Sequence, residues 1–135
     1  MPSTITYRPG KLEDLSKLKF ASSLSVTSAT MEFNVVGMGH EFWIAVQDMT
    51  VVALMVLARP TSIRRTILYL HVSQDHKNLG IGSALIRRVL EAYPECEFSV
   101  IPFEGTEEFY RQLGFTSNGR WEMRKLGRLL HSTRT

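Results

Sequence analysis

The sequence predicts an α/β fold (α+β in some schemes): a mixed, mainly antiparallel sheet of six or seven strands with helices on both faces. Three observations carry this reading. Runs of β-branched and aromatic residues recur along the chain, bounded by turn formers. In the second half the order becomes strand, helix, strand, helix, strand, which calls for a mixed sheet with helices laid on it. Finally, 44% of the 135 residues are hydrophobic, enough for a core of ordinary domain size without disulfide or metal staples.

Thr4 to Arg8 alternates as a first strand does, and Pro9-Gly10 is expected to end it. Leu12, Leu15 and Leu18 then recur at helical spacing, with Glu13 and Asp14 in the first turn, where the helix dipole favours acids. Ser22 to Val36 reads as a weak second helix broken by Gly37 and Gly39. Glu41 to Gln47 is a strand and Asp48-Met49 a tight connection. Val51 to Ala58 is a nearly continuous apolar strand, closed by Pro60. Thr66 to Ser73 is the next strand. After it, Leu85, Val89 and Tyr93, flanked by Ile86 and Leu90, make the apolar stripe of an amphipathic helix. Arg87, Arg88 and Glu91 take its other side, and Pro94 ends it. Glu97 to Ile101 is a short strand, Thr106 to Leu113 a short helix and Trp121 to Lys125 a final strand.

Composition narrows the class. The single cysteine, Cys96, excludes an internal disulfide framework and fits a reducing compartment. No apolar run approaches the roughly 20 residues of a membrane span. Met1 to Gly10 lacks the charged-then-apolar layout of a signal segment, so a soluble cytoplasmic protein is expected. Net charge is +3, unevenly spread: residues 1–60 hold five basic and five acidic side chains, while Arg120, Arg124, Lys125, Arg128 and Arg134 face only Glu122. A basic end can meet phosphates, but no nucleic-acid motif or interleaved aromatic and basic face accompanies it. It is read as a solvated terminus, with no nucleic-acid partner expected.

The segment richest in chemistry is Leu68 to Leu85, an apolar strand running through a polar loop into Gly80-Ile81-Gly82 at a helix start. Glycine lets backbone approach a ligand closely. The first N–H groups of a helix have no internal partner, and the dipole adds positive potential, so a pyrophosphate is a natural occupant. Lys77 and Ser83 supply a charge and a hydroxyl beside it. Two glycines also fit a plain strand-to-helix turn. The P-loop pattern is absent, and the third glycine of the dinucleotide fingerprint is replaced by Leu85.

Lys77-Asn78-Leu79-Gly80-Ile81-Gly82, after a strand ending in Val72, resembles the central motif of the GNAT acyl-CoA N-acyltransferase superfamily, with Lys77 where Gln or Arg is usual. Phe109-Tyr110-Arg111-Gln112-Leu113-Gly114-Phe115 resembles its second signature, at the family's interval. Glu13-Asp14-Leu15 and Met123-Arg124-Lys125 agree with its usual ends, so the resemblance covers about residues 4–126.

With no repeat, low-complexity tract or long linker in the sequence, one domain, residues 1–135, is expected. The resemblance implies that it transfers an acetyl group from acetyl-CoA to a primary amine of a small molecule or peptide by direct attack. By resemblance, acetyl-CoA is expected in a splay between two neighbouring parallel strands, Thr66–Ser73 and Glu97–Ile101. The backbone of Leu70, His71 and Val72 is expected along the pantetheine arm, and Lys77, Asn78, Leu79, Gly80, Ile81, Gly82 and Ser83 around the pyrophosphate. A backbone N–H near Val72 is expected to steady the oxyanion, and Tyr110 to be the general acid; read without the resemblance, Tyr110 is a core residue packed beside Phe109. The family often carries Glu or His on the central strand, where Thr66 and Leu68 stand here. His71 is one candidate base, which alternation turns away from Leu70 and Val72 unless a bulge re-aims it; Glu41, His40 and deprotonation through water are the others. The Asn common seven residues before the tyrosine is replaced by Phe103. The acceptor is expected to meet Ser22–Gly39 and the Arg59–Arg65 loop, and a homodimer is expected by resemblance. The competing reading is a non-catalytic acyl-CoA-binding or regulatory module on the same fold.

Other constellations are read structurally. His71, Asp75 and His76 match no zinc spacing, so no metal is expected. Cys96 is read as a small buried residue, the phenylalanines and Trp43 as core or pocket lining, and Met31, Met38, Met49 and Met55 as gap fillers.

Overall fold

The computed structural model describes residues 4–17, 37–117 and 122–127. The expected helix over Ser22–Val36 and the basic residues beyond Gly127 lie outside these.

Seven strands form one sheet: β1 (Thr6–Pro9), β2 (Glu41–Gln47), β3 (Thr50–Thr61), β4 (Arg64–Val72), β5 (Glu97–Val100), β6 (Thr116–Ser117) and β7 (Met123–Lys125), in the order β1-β2-β3-β4-β5-β7-β6. Every pairing is antiparallel except β4 with β5. That parallel pair requires a crossover, supplied by helix α1 (Ile81–Ala92). A shorter helix, α2 (Glu107–Gln112), follows β5, and a 3₁₀ turn spans Leu12–Lys17.

Period-two alternation splits the apolar residues between the two faces. Trp43, Ala45, Met55, Leu57, Ile67, Phe98 and Val100 pack with Leu85, Ile86 and Val89 of α1. Phe42, Ile44, Leu54 and Val56 form a second cluster that Leu15 of the 3₁₀ turn joins. β3 is therefore covered on both faces, which is why Val51 to Leu57 reads as an unbroken apolar run.

β1 does end at Pro9, with Gly10 outside it, whereas Pro60 lies inside β3. Pro9 pairs with Trp43 on β1, an edge strand with one side free of ladder bonds. Pro60 falls where the β3–β4 register slips between Ala58 and Thr61, an irregularity that needs no donor from it. Asp48 and Met49 do form a tight hairpin, at φ 51° and 63°. Two successive left-handed residues match the right-handed twist of the flanking strands.

Candidate active site

The site is set by where the parallel ladder stops. β4 and β5 pair from Arg64↔Glu97 to Ile67↔Val100, and then β5 ends. β4 runs five residues further, to Val72, alongside β3 alone. The hydroxyls of Thr66 and Ser99 lie 3.0 Å apart across the rung before the last, and the two strands part after Ile67 and Val100. The cleft so formed opens at the carboxyl ends of parallel strands, where ligands of open α/β sheets bind.

A bulge decides which side chains line it. Val56 faces Tyr69 and Leu57 faces Ile67, so Leu68 is the extra residue on β4. Regular alternation would group Ile67 with Tyr69 and His71. The bulge instead groups Ile67 with Leu70 and Val72 on the α1 side, while Tyr69 packs with the opposite cluster. His71 follows Tyr69 to that opposite side. Its imidazole is held below the usual histidine range, first by burial and then by the Lys77 charge. It is therefore neutral near pH 7 and able to accept a proton. The bulge lies three residues before His71 and leaves it on the side opposite Leu70 and Val72.

The loop after β4 is shaped for an anion. Asn78 (φ 65°) and Gly80 (φ 78°) are both left-handed, a conformation glycine takes without strain and asparagine with little. No side chain caps α1, and its first internal bond runs from Ala84 N–H to the Gly80 carbonyl at 3.0 Å. The N–H groups of Ile81, Gly82 and Ser83 thus lack intrahelical partners. Lys77 and Leu79 are exposed beside them and Ser83 is half-buried; Ile81 contributes backbone only, since its side chain is 2% exposed in the core. A Cβ on Gly82 would meet Val72 Cγ2 at 3.5 Å, Leu70 Cδ2 at 3.7 Å and Phe109 Cζ at 3.7 Å. The helix start, the end of β4 and α2 thus converge on this glycine. An uncapped helix N-terminus beside an open strand length fits a ligand that combines a pyrophosphate with an extended amide-bearing arm, as CoA does.

Tyr110 is 7% exposed, and its ring is set edge-on to Phe109 at 5.1 Å and to Phe115 at 5.6 Å. Burial pushes its phenol up to about 12. It shares one cluster with Ile67, Ile81 and Val100, residues at the base of the cleft.

Other sequence candidates fall elsewhere. Glu41 is at the far end of the sheet, where it accepts from Arg65 Nε at 2.7 Å and Tyr93 OH at 3.0 Å. Arg65 also stacks over the Tyr93 ring at 4.6 Å. Glu41 is thus the counter-ion of a buried arginine rather than a base. His40 precedes it at the same end. The Arg59–Arg65 segment forms the β3–β4 hairpin, also at the end opposite the cleft, and so leaves the acceptor expectation. Cys96 is buried and its thiol is pushed up, chiefly by burial, as an inert core cysteine is. Among the described residues no group of three or more His, Cys, Asp or Glu could hold a metal ion. No described helix is long and apolar enough to cross a membrane.

Comparison with known proteins agrees with this architecture. The family model of the acetyltransferase (GNAT) domain matches residues 38–117. Ard1 from Thermoplasma volcanium superposes with a TM-score of 0.73 at 19% identity, over 91% of this chain and 97% of that one. The ribosomal-protein-S18-alanine N-acetyltransferase from Escherichia coli gives 0.72 at 16%, over 90% and 93%. A GNAT family acetyltransferase from Brucella melitensis, in complex with acetyl-CoA, gives 0.70 at 13%, over 91% and 88%. No curated protein sequence matches the chain. With a family model spanning more than half its length and the same fold in each neighbour, the chain belongs to the GNAT acetyltransferases.

Proposed function

We propose that the chain acts as one domain, residues 1–135, which transfers an acetyl group from acetyl-CoA to the primary amine of a small molecule or peptide by direct attack. The observation that carries this reading is the open length of β4 leading straight into an uncapped helix start. An acyl-CoA has the matching parts in the same order: a thioester, an amide-bearing arm and a pyrophosphate.

In this reading the backbone of Leu70, His71 and Val72 bonds the arm as an added strand would. The backbone of Asn78 to Ser83 holds the pyrophosphate, with Lys77 adding charge. A backbone N–H near Val72 faces the carbonyl oxygen as negative charge develops there. Tyr110 keeps its proton until a thiolate leaves, a role for which a buried, protonated phenol is suited. His71, neutral and on the β4 face away from α1, takes the proton of the incoming amine, directly or through water.

The test is calorimetric titration with acetyl-CoA and CoA, followed by thiol release against a panel of amines. The panel should include peptides beginning with alanine, since one neighbour is named for that acceptor. Binding with release of CoA is the expected result. Binding without turnover on any amine would replace the transferase by the acyl-CoA-binding module, and no binding would end both readings.

A further inference from the structure

A cavity of about 550 Å³ lies at the carboxyl end of α1, away from the cleft. Leu90, Tyr93 and Pro94 line it from the last turn of the helix and the residues after it. Cys96 and Phe98 line it from the start of β5. α1 rises ~18 Å over its 12 residues, so the cavity is well separated from the uncapped first turn. Its volume falls in the range of small-molecule pockets.

Apolar side chains predominate in the lining, with Leu126 added from just after β7. The backbone beneath them is already paired. β5 and β7 bond to each other through Phe98↔Lys125, and the Cys96 N–H donates to the Tyr93 carbonyl at 3.1 Å. The cavity therefore offers apolar surface and no open strand edge. Charge enters at one point. Arg124 donates to Glu122 at 2.6 Å and to Glu97 at 3.4 Å, and Glu91 is exposed to water. Lys125 is half-buried, and among the described residues its ammonium group makes no ion pair or hydrogen bond. A Cβ on Gly114 would meet Lys125 Cε at 3.2 Å and Nζ at 3.6 Å, so the lysine is laid along that glycine, itself part of the lining. An anion entering here would gain a charge-assisted hydrogen bond without breaking an existing one.

We infer that this cavity binds an amphiphile with one carboxylate on a straight apolar chain, the carboxylate on Lys125 and the chain against Leu90, Pro94, Cys96 and Leu126. One free cation beside an apolar lining with satisfied backbone fits a single negative charge. A polyphosphate would leave charge unpaired there, and a peptide would leave amides unpaired. Burial of the chain supplies most of the affinity, and Lys125 fixes which end of the ligand faces it. The inference stands apart from the acyl-CoA reading, since it uses neither the cleft nor the helix start.

The experiment is calorimetric titration of the full chain with sodium decanoate and with decyltrimethylammonium, both below their micelle concentrations. Wild type is expected to bind decanoate about 10-fold more tightly than the cation, and Lys125→Gln to weaken decanoate about 10-fold. Lys125→Arg, which keeps the charge, should stay within about 3-fold of wild type. With decanoate bound, hydrogen exchange should slow at residues 90–98 and 123–126 and stay unchanged at 68–83. No binding of decanoate, equal binding of the two amphiphiles, or unchanged affinity in Lys125→Gln would overturn the inference. Slowing confined to 68–83 would also overturn it, by placing the chain in the cleft. So would a wild-type dimer that excludes decanoate and that Leu90→Arg separates, since the cavity would then belong to a second copy. If Lys125→Gln fails to melt cooperatively, the two amphiphiles and the exchange map on wild type still decide.

Discussion

At the scale of single residues, burial sets the chemistry. The Tyr110 phenol, pushed up to about 12 by burial, lies above its unfolded value of roughly 10. The sign follows directly: its contribution to stability is complete below pH ~10 and is lost as pH rises from there towards about 12. The Tyr93 phenol is also pushed up, chiefly by burial, so absorbance titration should find more than one late-ionising phenol in wild type and one fewer in Tyr110→Phe. The same variant is expected to lower turnover by about 10²-fold while leaving acetyl-CoA affinity within a few-fold. Equal turnover in the two proteins would remove Tyr110 from the mechanism. His71 shifts the other way, so its folded value lies below the ordinary ~6.5 and its stabilising effect fades as pH falls through the folded value. The acid limb of kcat/KM is expected below pH ~6.5, and His71→Gln should abolish that limb. A limb that persists in His71→Gln would assign the base elsewhere. The positions of Tyr110 on a helix and Gly80 at a helix start were legible because each sits in a short contiguous motif. The role of Glu41 was not, since its partners lie 24 and 52 residues away in sequence and only the fold brings them together.

At the scale of elements, the glycine at the second position of α1 separates structural from functional need. A methyl group at Gly82 would meet its neighbours at ordinary contact distances, and the residue lies inside the helix. Gly82→Ala is thus expected to stabilise the free protein by about 0.5–1 kcal/mol, through reduced backbone entropy in the unfolded chain. It should also weaken acetyl-CoA binding, because the added methyl intrudes where the ligand backbone approaches. Thermal melting and titration of the same sample check both halves; a variant that gains stability and keeps full affinity would show that the glycine is not there for the ligand. Strand positions were largely readable, since alternation and apolar runs survive in β2 and β3. Strand ends were not. Pro60 is a strong stop signal locally, yet a register slip removes the need for its missing N–H. The Leu68 bulge left no mark in the sequence at all: it is an offset between two strands, and its signature exists only in their pairing.

At the scale of the whole molecule, the order of strands was inferable only as far as the helix between β4 and β5 dictated a parallel pair. Their early parting was expected from family resemblance, not from local pattern. The parting has a consequence for the protein without ligand. Strand edges are ordinarily confined to the rims of a sheet, where twist and charge keep other chains from adding to them. Here one rim is placed in the interior, along the far half of β4, with apolar side chains on its borders. Until an arm fills it, the sheet is an incomplete template that a foreign strand can also join. Acetyl-CoA should therefore act as a folding ligand as well as a reactant. At a hundredfold excess over Kd it is expected to add about 2.7 kcal/mol of stability. Hydrogen exchange should slow most at residues 68–72, and heat-induced aggregation should fall in step. Uniform slowing across the chain would mean that binding tightens the domain without completing the sheet. If acyl-CoA binds as proposed, the opening that takes it would then be, in its absence, an adhesive edge among the described residues, and the ligand a guard against self-association.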